Sequence, residues 1–214
     1  MNRSGSLEEF NIMRDTKKMV QLAVLVSIIA VMSFTPLGFL PVGPVTITLM
    51  IIPVAVAAIV VGPAGGAIAG GVWGLCAFLR VIFGLSPFFA LFLNINPIFL
   101  FILMLFPRIL AGWISGLVYR GFLRLKNKTL AAMAGSISTP ICNTILFVGT
   151  WILLFGRTEL FVSTYGEAVW GAVVTIVGIN APIEAAFGLL TGTAVSRVLI
   201  HFFPSKTEPT IENG

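Results

Sequence analysis

Four polar side chains stand among apolar neighbours: Arg108 in "LFPRILAG", Asn143 in "PICNT", and Asn180 and Glu184 in "GINAPIEAA". Arginine carries a fixed charge and five N–H donors in a planar fork that fits a carboxylate. Asparagine both donates and accepts hydrogen bonds, and glutamate accepts them. Asn180 and Glu184 are four apart, so on a helix they share a face. This set suits capture of a polar, anionic solute. It equally suits an Arg108–Glu184 ion pair that stitches two helices, and the two readings are compatible because a pair can line a cavity. Catalysis fits poorly. By topology the single histidine, His201, is on a different helix from Ser138 of "GSIS" and near the inner surface, and a nucleophile needs a base within reach. There is no HExxH motif for a metal and no GxxxxGK[ST] loop for ATP.

Other candidates sit nearer the ends of apolar runs. Arg80 in "FLRVIFG" is placed either to reach headgroups or to meet a carboxylate at an entrance. In "LNINP", Asn96 before Pro97 has the form of a helix N-cap with proline at the first helical position, while Asn94 stays a ligand candidate. Thr46 and Thr48 alternate, and either contact a solute or satisfy backbone groups. Trp73 and Trp170 read as packing or interface anchors.

The elements that must position these groups are membrane helices. The 214 residues are 57% hydrophobic and 10% charged, with mean hydropathy +1.04. A soluble domain carries roughly 25% charged residues. The net charge of +5 is not gathered on one face, so nucleic acid is not an expected partner. A span needs about 20 apolar residues. The expected fold is an all-α integral membrane protein with six transmembrane helices, near residues 18–35, 44–61 (with a kink at Pro53), 64–83, 97–119, 129–155 and 170–203. Residues 1–17 and 204–214 flank this domain, and the polar first sixteen residues do not read as a cleaved signal. Basic residues cluster before the first span, between the fourth and fifth (Arg120, Arg124, Lys126, Lys128) and after the sixth (Lys206). By the positive-inside rule both termini are cytoplasmic, and the charge-poor loops 36–43, 84–96 and 156–169 face outward. At about 1.5 Å per residue, Arg108, Asn143, Asn180 and Glu184 then lie roughly 15–21 Å below the outer ends of three consecutive helices. Cys76 and Cys142 read as buried thiols, with no metal site. Glycines at four-residue spacing (Gly62, Gly66, Gly70, Gly74; Gly112, Gly116; Gly188, Gly192) read as close helix contacts.

These features occur in the order of a known family. The stretches "TPLGFLPVGPVTITLMIIPVAVAAIVVGPAGGAIAGGVWG" (35–74), "FPRILAGWISGLVY" (106–119), "NTILFVGTWILLFG" (143–156) and "INAPIEAAFG" (179–188) resemble the substrate-binding S components of energy-coupling factor (ECF) vitamin transporters, most of all the pantothenate type. Ile51 stands where that pattern has histidine, and Ala64 where many relatives have lysine. The resemblance implies a small-molecule vitamin captured from outside a prokaryotic plasma membrane. It implies no cofactor in this chain, since ATP would be hydrolysed by two ABC-type ATPases held by a transmembrane coupling protein. It also implies docking through small residues on the first helix, here Ala23, Ser27 and Ala30. An S component for folate, a pyrimidine precursor or riboflavin, and a self-sufficient permease, are the alternatives.

Overall fold

The computed structural model describes the backbone of residues 3–42, 45–125, 127–165 and 182–194, and residue 198; side chains are described from Thr16 on, apart from residues 37, 39–47, 164–165 and 191–192. The chain is a multi-pass helical membrane protein. Helix α1 runs Arg3–Ser33, α2 Ile51–Val60, α3 Pro63–Ile82, α4 Pro87–Ile95, α5 Pro97–Leu123, α6 Lys128–Phe155 and α7 Glu159–Tyr165. A further helical segment covers 182–194, with a π-helical turn at Gly188–Gly192. Among the described residues, four helices are long and apolar enough to cross a membrane: the Thr16–Ser33 part of α1, and α3, α5 and α6. Most of the expected sixth span, with Asn180, Trp170 and His201, lies outside the described residues, as does the side chain of Thr46.

The expected third, fourth and fifth spans agree with α3, α5 and α6 to within a few residues. Local chemistry explains the boundaries. Pro63 and Pro97 occupy first-turn positions, where a missing N–H breaks no bond. Asn96 caps α5, its Oδ1 accepting from the N–H of Ile98 at 3.0 Å and of Phe99 at 3.1 Å. Asn127 caps α6 through Leu130 N at 3.0 Å.

The second span is a correction. Residues 44–61 are not one helix. Strand β1 (Phe39–Val42) pairs antiparallel with β2 (Val45–Thr48), Phe39 opposite Thr48, and only then does α2 begin. The run Val45-Thr46-Ile47-Thr48 is β-branched throughout, which suits a strand, and hydropathy alone does not separate the two. Pro53 is accordingly no kink. It sits in the first turn of a helix of ten residues. All of α2 except Ile52 is buried. Non-helical backbone at membrane depth is tolerated where protein covers it or it lines a cavity.

The expected loops 84–96 and 156–169 are also partly helical, as α4 and α7. They stand with the β-hairpin at one end of the bundle, the hairpin end. The Gly62 turn and the α5–α6 connection mark the other, the turn end. At the hairpin end, α4 and α7 pack on α6 through aromatic rings. Phe92 lies 5.6 Å from Trp151 and 5.1 Å from Phe155, and Phe161 lies 5.4 Å from Trp151.

Toward the turn end, α3 and α5 meet backbone to backbone. A methyl group on Gly66 would run into the Gly112 carbonyl, on Gly70 into that of Arg108, and on Gly74 into that of Met104. Numbers rise along one helix as they fall along the other, so the pair is antiparallel with Gly70 opposite Arg108. The two glycine ladders therefore make contact with each other. Helix α2 fills the notch, with Val54 and Ala58 against Gly112, Gly116 and Gly66. Cys76 is buried and Cys142 half-buried, and both are free thiols. Ser138 gives its hydroxyl to the Gly135 carbonyl at 2.8 Å, an ordinary helix-internal bond.

Candidate functional site

The α3–α5 register sets one wall of the site. Gly70 lies against Arg108, and Trp73, three residues on, shares its face. The α5–α6 register sets the next. Ser115 donates to the Gly135 carbonyl at 2.7 Å and receives the Thr139 hydroxyl at 2.8 Å. Seven residues back from Ser115 is Arg108, and the antiparallel partner has moved on to the level of Asn143, Thr144 and Phe147. The guanidinium accordingly lies between two rings, its carbon 4.8 Å from the Trp73 centroid and 5.1 Å from that of Phe147. Rings at these distances attract a cation by their quadrupoles, more strongly once water is excluded.

Arg108 is 9% exposed. Its Nη1 donates to the carbonyls of Met104 at 2.6 Å and Leu103 at 3.3 Å. Its Nε is buried with no hydrogen-bond partner among the described residues. The same holds for Trp73 Nε1 and for Asn143 Oδ1, one helical turn from Phe147. Buried polar groups normally find partners, because leaving one unpaired costs about 1–3 kcal/mol. These three atoms, two donors and an acceptor, belong to side chains of α3, α5 and α6 at one depth.

Glu184 closes the far side. Its Oε1 accepts from the backbone N–H of Thr48 at 3.1 Å, tying the helical segment to the end of β2. A methyl group on Gly188, one turn on, would stand 3.3 Å from the Ser136 carbonyl and 3.4 Å from the Pro140 ring. The π-turn also packs along α2, whose end at Ile59 meets the start of α6 at Gly135. The segment thus runs antiparallel to α6, and Glu184 stands near the level of Asn143. Among the described residues no ion pair joins Glu184 to Arg108. Thr48 participates by its backbone N–H and also by its side chain, both toward Glu184.

Two candidates lie elsewhere. Arg80, in the last turn of α3, donates to the Ser33 carbonyl at the end of α1, a favourable place for a cation on a helix C-terminus. Asn94 is exposed on α4. On α1, Ala23 and Ser27 are exposed and Ala30 is half-buried. Trp73 and Phe147 join the site although their residue types gave them no such role. Phe147 was signalled by its four-residue spacing from Asn143. Trp73 required the α3–α5 register.

Residues 17–191 match the family described as "ECF transporter, substrate-specific component". The chain is also 29% identical over 194 residues to a protein of Leuconostoc mesenteroides subsp. mesenteroides named "Pantothenate transporter PanT"; the match covers 86% of this chain and 93% of the relative.

Proposed function

The chain belongs to the substrate-specific components of ECF transporters, and on that premise we propose that it captures pantothenate at the Arg108 site from outside the cell and delivers it inward with an energising module. The observation that carries the substrate is the ring-bracketed guanidinium with an unpartnered Nε, beside the unpartnered Asn143 Oδ1. Pantothenate has one carboxylate, an amide and hydroxyls. The carboxylate suits the guanidinium fork, and the amide and hydroxyls suit Asn143, Trp73 Nε1 and Glu184. The likeness to a protein named for pantothenate transport points the same way. Asn180 is kept as a ligand candidate four residues from Glu184. Ile51 is 1% exposed in the apolar cluster that contains Trp73, so the position that departs from the family pattern belongs to the wall behind the site.

The basic turn end faces the cytoplasm in this reading, and the hairpin, α4 and α7 face outward. The exposed small residues of α1 are the docking face for the coupling protein. Ser27 gives its hydroxyl to the Ala23 carbonyl at 2.8 Å, so its polar group is satisfied within the helix and the surface stays flat and apolar. ATP hydrolysis belongs to the partner ATPases.

Mass spectrometry of small molecules retained by the purified protein, followed by calorimetry, tests the substrate. Pantothenate should bind, and Arg108→Ala should weaken it about 30-fold or more, from the ~2 kcal/mol lost when one partner of a buried charged contact is removed. Retention of a different vitamin and no heat with pantothenate would reject the substrate. Docking is checked with Ala23→Trp, which should reduce transport in cells while the solubilised protein binds normally.

A further inference from the structure

Helix α5 carries Pro107 in its interior, one residue before Arg108. Proline has no N–H, so the carbonyl four residues back, that of Leu103, receives no helical hydrogen bond, and the ring crowds it. At membrane depth no water replaces the missing donor, and another part of the protein must. Here the adjacent side chain does so. A helical side chain leans toward the N-terminus of its own helix, so a long arginine just after a proline reaches the disturbed carbonyls. Arg108 Nη1 stands 3.3 Å from Leu103 O and 2.6 Å from Met104 O.

This repair fixes more than the helix. With Nη1 committed to two carbonyls, and with Trp73 and Phe147 at 4.8 and 5.1 Å, the guanidinium plane has lost its freedom to turn. Its opposite edge, Nε and Nη2, is left for other partners, and Nε has none among the described residues. That edge is the side-on fork with which arginine takes a carboxylate. Arg108 and Glu184 attract each other without forming an ion pair among the described residues, and Glu184 Oε1 is engaged by Thr48 N.

We propose that Pro107 is a specificity-determining positioning residue: by withholding its N–H it leaves a carbonyl that anchors Arg108 Nη1, and the anchor presents the Nε–Nη2 edge to the carboxylate of the ligand. This rests on the reading of Arg108 as the anion site, and the test separates the two. Full-length wild type, Pro107→Ala and Arg108→Ala are titrated by calorimetry with pantothenate and with its neutral analogue carrying an alcohol in place of the carboxylate.

The wild type should prefer the acid, and Arg108→Ala should lose the preference. Pro107→Ala should bind the acid about tenfold more weakly, the scale of one charged hydrogen bond. It should keep its affinity for the alcohol within about twofold, and its thermal midpoint should hold or rise because a helix break is removed. Wild-type preference retained in Pro107→Ala overturns the inference. Equal losses for acid and alcohol also overturn it, since they mark a general packing role. A wild type indifferent to the carboxylate removes the Arg108 reading and the inference together. If Pro107→Ala does not fold, Arg108→Lys carries the test. Lysine keeps the charge without a second edge, so it should lose the preference, and a retained preference overturns the inference.

Discussion

The two ends of the bundle are built from opposite materials. Toward the turn end, α2, α3 and α5 touch through glycines, and carbonyl oxygens occupy the places where side chains would stand. Toward the hairpin end the filling is aromatic: Phe88, Phe89, Phe92, Phe147, Trp151, Phe155 and Phe161 form one connected set of rings. The difference teaches where a solute can be held. Helices in backbone contact leave no room between them, and they fix a register to a fraction of a turn. Rings span larger gaps and can bracket a polar group. Arg108 sits at the junction, its backbone pressed on Gly70 and its side chain between Trp73 and Phe147.

Four substitutions break or sharpen this contrast. The largest effect is expected for Gly70→Val, because its Cβ has nowhere to go but into the Arg108 carbonyl. Fluorescence-detected size-exclusion chromatography should find little monodisperse protein, and normal yield would mean that the glycine contact is not the organising one. Next comes Trp151→Ala, which opens the aromatic end where α4 and α7 meet α6. It should cost about 3 kcal/mol, as large core truncations do, read as a lower thermal midpoint, with folded protein still recovered. Asn143→Leu should weaken pantothenate several-fold, the scale of one neutral hydrogen bond, yet leave the unliganded protein as stable or more so, since it removes a buried unpaired oxygen. Reduced stability of the ligand-free protein would show that Asn143 supports the fold. Smallest is Gly149→Ala. Nothing stands within 4 Å of its Cβ position, so only helix propensity changes, and stability should rise by up to about 1 kcal/mol in the same melting assay.

The long helices were legible because length, apolarity and proline or asparagine starts all agree, as at Asn96-Pro97. So was the depth shared by Arg108 and Asn143, since it needs only the rise per residue. Helix α2 was not. Val45 to Thr48 is uncharged and adjoins the wholly apolar Ile51 to Val60, so a window of hydropathy joins a strand to a helix. Helices α4 and α7 were missed because nine and seven residues fall below any spanning length. The role of Trp73 depended on which glycine of one ladder meets which of the other, a pairing that spacing alone leaves open. Arg80, read from the sequence either as a headgroup anchor or as an entrance residue, also has a local partner that spacing could not show: α1 ends beside it, and the carbonyl of Ser33 accepts its hydrogen bond.

Helix α2 has a consequence for how the protein is made. Ten residues rise about 15 Å, half the thickness of a hydrocarbon core. Such a segment, emerging alone during synthesis, is too short to be retained as a span, and the hairpin before it would expose unpaired backbone to lipid. Immediately after it come the tight turn at Gly62, φ 113°, and then the twenty residues of α3. Insertion together with α3 would supply the missing length, and α2 is covered on its glycine side only once α5 closes the notch. Of the described helices, the one most fully buried would thus depend for its insertion on chain that follows it.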